Sequence, residues 1–103
     1  MILTTTNEVP GRDFEIIGLV NGNTVKSKNA LKDIGAGLKS IVGGELGSYM
    51  KMISEARETA TQRIIQMAEG MGADAIIAVR YGSSSIMEGA SELFAYGTAV
   101  KFK

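Results

Sequence analysis

The chain has 103 residues, enough for a single domain over 1–103 with its own core, and near the size at which partner subunits often supply extra burial. Eleven basic residues balance eleven acidic ones, and no run of Lys or Arg follows a nucleic-acid backbone or an anionic membrane, so neither is expected as a partner. There is no Cys and no His, which removes disulfides, thiolate nucleophiles, thiolate metal ligands and the side chain most used for acid–base work near neutral pH.

Taken in chain order, Ile2-Leu3-Thr4-Thr5 reads as a short strand ended by the turn-rich NEVPGRD, where the one proline fixes a bend before Gly11. The opening MILTTTNEVP lacks the basic and apolar regions of a signal peptide, and no segment approaches the roughly 18 apolar residues of a membrane span, so a cytoplasmic location is expected. Phe14 to Val20 predicts a strand with little alternation. Asn21-Gly22 predicts a hairpin turn, with Thr24-Val25-Lys26 as the returning strand.

Beyond Ser27 the period changes. Leu31, Ile34, Leu38, Ile41 and Val42 recur at three- and four-residue steps, predicting a short helix from about Lys28 to Val42 that Gly43-Gly44 ends. A longer helix is predicted from about Leu46 to Met71. It carries Tyr49, Ile53, Ala56, Ala60, Ile64, Met67 and Met71 on one side, with Glu55, Glu58, Thr61, Gln62 and Gln66 on the other. Ala56 and Ala60 should let it lie close to a sheet, and Gly72 is placed to cap its end in a left-handed conformation. Ala75 to Val79 then reads as a buried strand, Gly82-Ser83-Ser84-Ser85 as a polar loop, and Ser91 to Phe102 as the last strand. In that strand Phe94, Tyr96, Thr98, Val100 and Phe102 point one way and Leu93, Ala95, Gly97 and Ala99 the other, giving one bulky and one small face. The fold class is α+β: a small mixed or antiparallel sheet of four to five strands, with one short and one long helix.

The stretch DIGAGLKSIVGGELGSY, Asp33 to Tyr49, invites a phosphate-binding reading that its context refuses. A dinucleotide-binding G-x-G-x-x-G must sit between a strand and a helix, whereas Gly35-Ala36-Gly37 lies inside a helical pattern. A Walker A loop needs G-x-x-x-x-G-K-[ST], and Gly37-Leu38-Lys39-Ser40 has an extra residue before the lysine and no strand before it. No nucleotide is expected. Gly35 and Gly37 read instead as points of close packing, and Gly43, Gly44 and Gly47 as a turn that leaves Ser48 to cap the long helix. The N–H groups near Ser48 could still hold an anion.

Gly11-Arg12, the segment Gly18 to Val25, Asp33-Ile34 followed by IVGGELGSY, EAR at Glu55 to Arg57, GADAIIAVR at Gly72 to Arg80 and IMEGASELFAYGTAV at Ile86 to Val100 together resemble the YbjQ-like bacterial family over nearly the whole chain. That resemblance implies a dodecin-like subunit of a ring-shaped homopentamer, and a family label of heavy-metal binding. Soft metals prefer thiolate and imidazole ligands, which this chain lacks. The remaining donors are carboxylates, and a divalent cation held by oxygen is the metal reading left open. Its candidate ligands are Glu88, Glu92 and Glu45, with Met87 as an added thioether.

Asp74 is expected to pin the turn after Gly72, and Glu55 and Glu58 to be solvated helix surface with Lys51 as an ion-pair partner for Glu55. Arg80 either pairs with a carboxylate of a neighbouring subunit or holds an anion, the pair being favoured. Ser83, Ser84, Ser85 and Glu88 form either a solvated loop or the rim of a binding site. No nucleophile has a base at a telling spacing, so an enzyme is the least favoured class. Two readings stand: a homo-oligomeric module binding a metal ion or small ligand at subunit boundaries, and a purely structural or interaction ring.

Overall fold

A 24-residue helix lies on one face of a four-stranded mixed sheet. The computed structural model describes residues 1–26, 47–87 and 90–103. The elements are β1 (Ile2–Leu3), β2 (Phe14–Lys26), α1 (Gly47–Gly70), β3 (Ala75–Met87) and β4 (Ala90–Phe102), with strand order β1-β3-β4-β2. β4 is antiparallel to both β2 and β3, while β1 runs parallel to β3. The helix expected over 28–42 and its glycines lie outside the described residues.

β4 sets the architecture through its two unlike faces. Ala95 and Ala99 are fully buried on the small face and admit the helix, where they join Val20, Ala60, Ile64, Ala68, Ile76 and Val79 in the main core. Near the C-terminal end of β4 the bulky face has a core of its own: Ala75, Ile77 and Val100 are buried beneath Val9, Phe14 and Phe102. Val9-Pro10-Gly11-Arg12 closes over this end as a tight turn, the Arg12 N–H donating to the Val9 carbonyl at 3.1 Å. Gly11 supplies the positive φ, 78°, that proline followed by glycine in such a turn requires. The Arg12 guanidinium caps the cluster 4.8 Å above the Phe102 ring.

The helix is bounded much as its pattern predicts. Its buried row is Ala56, Ala60, Ile64 and Ala68. Ile53, Met67 and Met71, expected inside, are exposed: a row spaced strictly by four drifts around the helix by about 40° per step and leaves Ile53 and Met67 on its flank, and Met71 lies past the last helical residue. At the C-terminus Ala73 N–H donates to the Ala68 carbonyl and Gly72 N–H to that of Glu69, both at 3.0 Å, with Gly72 at φ 81°. This paired closure is the left-handed cap expected of Gly72. At the other end the helix begins at Gly47, so Ser48 belongs to its first turn and not to the residue before it.

Two expectations are corrected. Asn21-Gly22 makes no hairpin: β2 runs unbroken for 13 residues, Asn21 opposite Tyr96, Gly22 opposite Ala95 and Asn23 opposite Phe94. The glycine is needed for approach, not for turning. A Cβ on Gly22 would stand 2.6 Å from Cβ of Arg63 and 2.9 Å from the Ala60 carbonyl oxygen, so the helix rests directly on its backbone. Nor is Gly82-Ser83-Ser84-Ser85 a loop. These residues continue β3, paired with Phe94, Leu93, Glu92 and Ser91. The Phe94 ring lies over Gly82, where a Cβ would be 2.5 Å from Cζ; the aromatic covers the backbone that glycine leaves bare.

Candidate functional site

The register fixes what the sheet presents on the side away from the helix. Beyond the end core, cross-strand rows stand one above another: Leu19 beside Thr98; Asn21, Tyr96 and Arg80; Asn23, Phe94 and Gly82; Val25, Glu92 and Ser84. No described element covers these rows. Leu19 is 68 % exposed and Tyr96 42 %. A groove of about 400 Å³ runs along β2 and β4 here, lined by Leu19, Asn21, Asn23, Glu92, Phe94 and Tyr96.

The floor is aromatic. Phe94 and Tyr96, two residues apart on one strand, stack with centroids 6.1 Å apart and planes 28° from parallel. At one end of the floor Glu92 is held from both sides: Asn23 Nδ2 donates to Oε2 at 2.8 Å and Ser84 Oγ to Oε1 at 3.2 Å. Two neutral donors orient the carboxylate across the sheet without neutralising it, leaving it open to a cation or a hydrogen-bond donor from solvent. Arg80 stands at the other end, four residues along β3 from Ser84, or about 13 Å at strand rise. Its Nη1 donates to the carbonyls of Thr5 and Val79, both at 2.9 Å, tying the N-terminal segment to the sheet.

The candidates named from sequence therefore divide. Glu92 and Ser84 come together; Arg80 shares their face but holds backbone carbonyls of its own chain. Glu88 and Glu45 lie outside the described residues, as does the side chain of Ser48. Asp74 pins the helix–strand junction as expected, its Oδ2 accepting from Phe102 N–H at 2.8 Å, with Lys101 Nζ at 3.9 Å. Asn21 and Asn23 escaped the sequence reading because Asn-Gly-Asn looks like a turn. The available signal was length, since a last strand of about a dozen residues needs neighbours of equal length to satisfy its backbone.

The donor set does not suit a soft metal. There is no Cys or His, and among the described residues no three Asp or Glu lie together as a metal-holding group. What the face offers is one oriented carboxylate, amide and hydroxyl groups, and two stacked rings.

This architecture, a mixed four-stranded sheet with one described helix across it, is that of a known α+β fold. It matches the crystal structure of a protein of unknown function in the DUF74 family from Pediococcus pentosaceus with a TM-score of 0.70, covering 100% of this chain and 98% of that one at 16% identity. The sequence then places it more closely. Residues 1–103 match the YbjQ family described as "Putative heavy-metal-binding". The chain is 52% identical over 101 residues to a UPF0145 protein of Clostridium novyi, covering 98% of each, and 55% identical over 102 residues to one of Shewanella frigidimarina, covering 98% of this chain and 95% of that one. A UPF0145 protein of Thermotoga maritima is 53% identical over 104 residues, with 100% and 98% covered. The chain belongs to the YbjQ-like, UPF0145 family.

Proposed function

We propose that this chain is the subunit of a homo-oligomeric binding module, a dodecin-like ring in the cytoplasm, whose ligand lies on the open sheet face. The observation that carries the reading is the hydrogen-bonded Asn23–Glu92–Ser84 group at the end of the aromatic floor. A carboxylate fixed by two donors and set beside stacked rings matches a small molecule with a flat apolar body and a hydrogen-bond donor or positive group at one edge. The same carboxylate, shared between copies, is the place for a hard divalent cation with oxygen ligands. The family's heavy-metal label is not carried over as tight binding of a soft ion, because the donor chemistry for it is missing. A ring without a ligand is the second reading, favoured by the side of β2 away from β4, which no described strand pairs.

Native mass spectrometry of the purified assembly, followed by calorimetric titration with zinc, cadmium, calcium and magnesium on wild type and Glu92→Gln, tests the reading. A co-purifying small molecule or a calcium isotherm, lost in Glu92→Gln, is expected. Submicromolar zinc or cadmium binding would overturn the exclusion of soft metals, and an assembly that carries and binds nothing would leave the structural ring.

A further inference from the structure

The protons around Glu92 can be assigned one by one. Ser84 spends its only hydroxyl hydrogen on Oε1, and Asn23 spends one of its two amide hydrogens on Oε2. Against the one amide hydrogen that remains stand four oxygens with lone pairs to spare: Asn23 Oδ1, Ser84 Oγ and both oxygens of Glu92. Among the described residues Glu92 forms no ion pair. The group is therefore rich in acceptors, poor in donors and negatively charged, with Glu92 itself half-buried.

Phe94 lies two residues along β4 on the same face, about 7 Å away at strand rise. A group hydrogen-bonded to Glu92 and reaching along the floor therefore meets the Phe94 ring. The same face of β4 already carries such an arrangement at its other end, where the Arg12 guanidinium lies 4.8 Å over the ring of Phe102. There the chain supplies both ring and cation. At Phe94 it supplies the ring and an anion, and among the described residues no cation lies over that ring.

We infer that Glu92 and Phe94 form a seat for a planar guanidinium or amidinium group carried by a small aromatic molecule. This rests on the open-face reading above and names its ligand class. A fork-shaped cation offers a carboxylate two parallel N–H groups, and its weakly hydrated face packs on an aromatic ring. Its flat body continues along the groove over Tyr96 toward Leu19, which is exposed. A neutral amide suits the seat poorly, because it turns an oxygen toward a group already crowded with oxygens. An ammonium brings a point charge without a plane. A calcium ion takes about six to eight oxygens, more than one carboxylate and its neutral neighbours present in one copy.

Benzamidine is the probe, and benzamide, of the same shape with an oxygen in place of one nitrogen, is its neutral control. In calorimetric titrations of the intact purified protein, benzamidine should bind and benzamide should be weaker by about tenfold or more. Glu92→Gln should weaken benzamidine by a similar factor and leave benzamide nearly unchanged, a split that a merely structural defect would not produce. Phe94→Leu should weaken both. N-acetylarginine amide presents the same guanidinium on a polypeptide stem; tighter binding of it than of benzamidine would assign the seat to an arginine side chain of a protein and overturn the small aromatic ligand. Equal affinity for benzamidine and benzamide, both weakened by Phe94→Leu, would overturn the cationic class while sparing the ligand-binding face. Calcium binding lost in Glu92→Gln, with no benzamidine isotherm, would overturn it in favour of a hard cation. A protein that carries no co-purified molecule and binds none of these probes would overturn both the class and the open-face reading.

Discussion

The carbonyl oxygen of Ala60 stands 2.9 Å from the position a Cβ on Gly22 would occupy, so the helix and the β2 backbone are in direct contact at that point. The atoms in the way, that oxygen and Cβ of Arg63, belong to the helix frame and cannot swing aside. Gly22→Ala should lift the helix from the sheet and cost about 1 to 3 kcal/mol, in the range of overpacking. A lowered urea midpoint with an unchanged slope is the expected result.

Two other glycines separate conformation from crowding. Neither Gly70 nor Gly72 has any atom within 4 Å of a built Cβ, but Gly72 sits at φ 81° and Gly70 is the last helical residue. Gly72→Ala should destabilise by about 1 to 2 kcal/mol, the cost of a left-handed conformation for a residue with a side chain. Gly70→Ala should raise stability by up to about 1 kcal/mol through helix propensity. Thermal melts of the two variants shifting in opposite directions would check the assignment.

Ala60 is fully buried, whereas Gln62 is exposed and donates to Glu58 Oε1 at 3.1 Å. Ala60→Glu places a carboxylate in the main core without a partner and should cost several kcal/mol, of the order of about 3 or more, or prevent folding. Gln62→Glu exchanges a hydrogen bond for a like-charge pair and should cost about 0.2 to 0.5 kcal/mol. Equal urea midpoints would show that the helix is rotated from the orientation described.

The helix was legible in the sequence because its signals are local. Alanine and isoleucine at helical spacing, followed by a glycine that can close the end, fix its extent and its face. The strands were legible where they are apolar and misread where they are polar. Asn21-Gly22-Asn23 and Gly82-Ser83-Ser84-Ser85 have turn composition, yet both lie within long ladders, because Phe94 and the helix occupy the space that side chains at Gly82 and Gly22 would need. Glycine looks the same in a sequence whether it bends a chain or makes room for another. The groove shared this fate, since two of its lining residues, Asn21 and Asn23, flank the supposed turn. Glu92 was visible only as one carboxylate among many until the register set Ser84 opposite it and brought Asn23 within reach on the diagonal.

Asp74 offers a test of hydrogen bonding against ion pairing at one side chain. Its carboxylate accepts from the Phe102 N–H at 2.8 Å, while Lys101 is 3.9 Å away and half exposed. Asp74→Ala should cost about 1 to 2 kcal/mol by leaving that amide without its partner. Lys101→Ala should cost less than about 1 kcal/mol, as expected of a solvent-screened pair. Asp74→Asn, which keeps an acceptor, should fall close to the lysine variant; chemical denaturation of all three at low and high salt would rank them.

Ala78 has a φ of 53° and sits between Ile77, which faces Thr98, and Arg80, which faces Tyr96. Two residues of β3, Ala78 and Val79, thus stand against Gly97 alone, and Val79 belongs to the helix side while Ile77 and Arg80 face away. Ala78 is therefore an insertion in an otherwise regular alternation. Excising it would keep every later side chain on its present side and relieve a backbone conformation that alanine rarely adopts. The loss would fall elsewhere, on the bond from its N–H to the Thr6 carbonyl at 2.9 Å. A one-residue deletion at this point should then leave the sheet's two-sidedness intact while unfastening the N-terminal segment, which faster amide exchange at Thr4 and Val79, whose N–H groups bond across this junction, and protease cleavage within Thr4 to Glu8 would reveal.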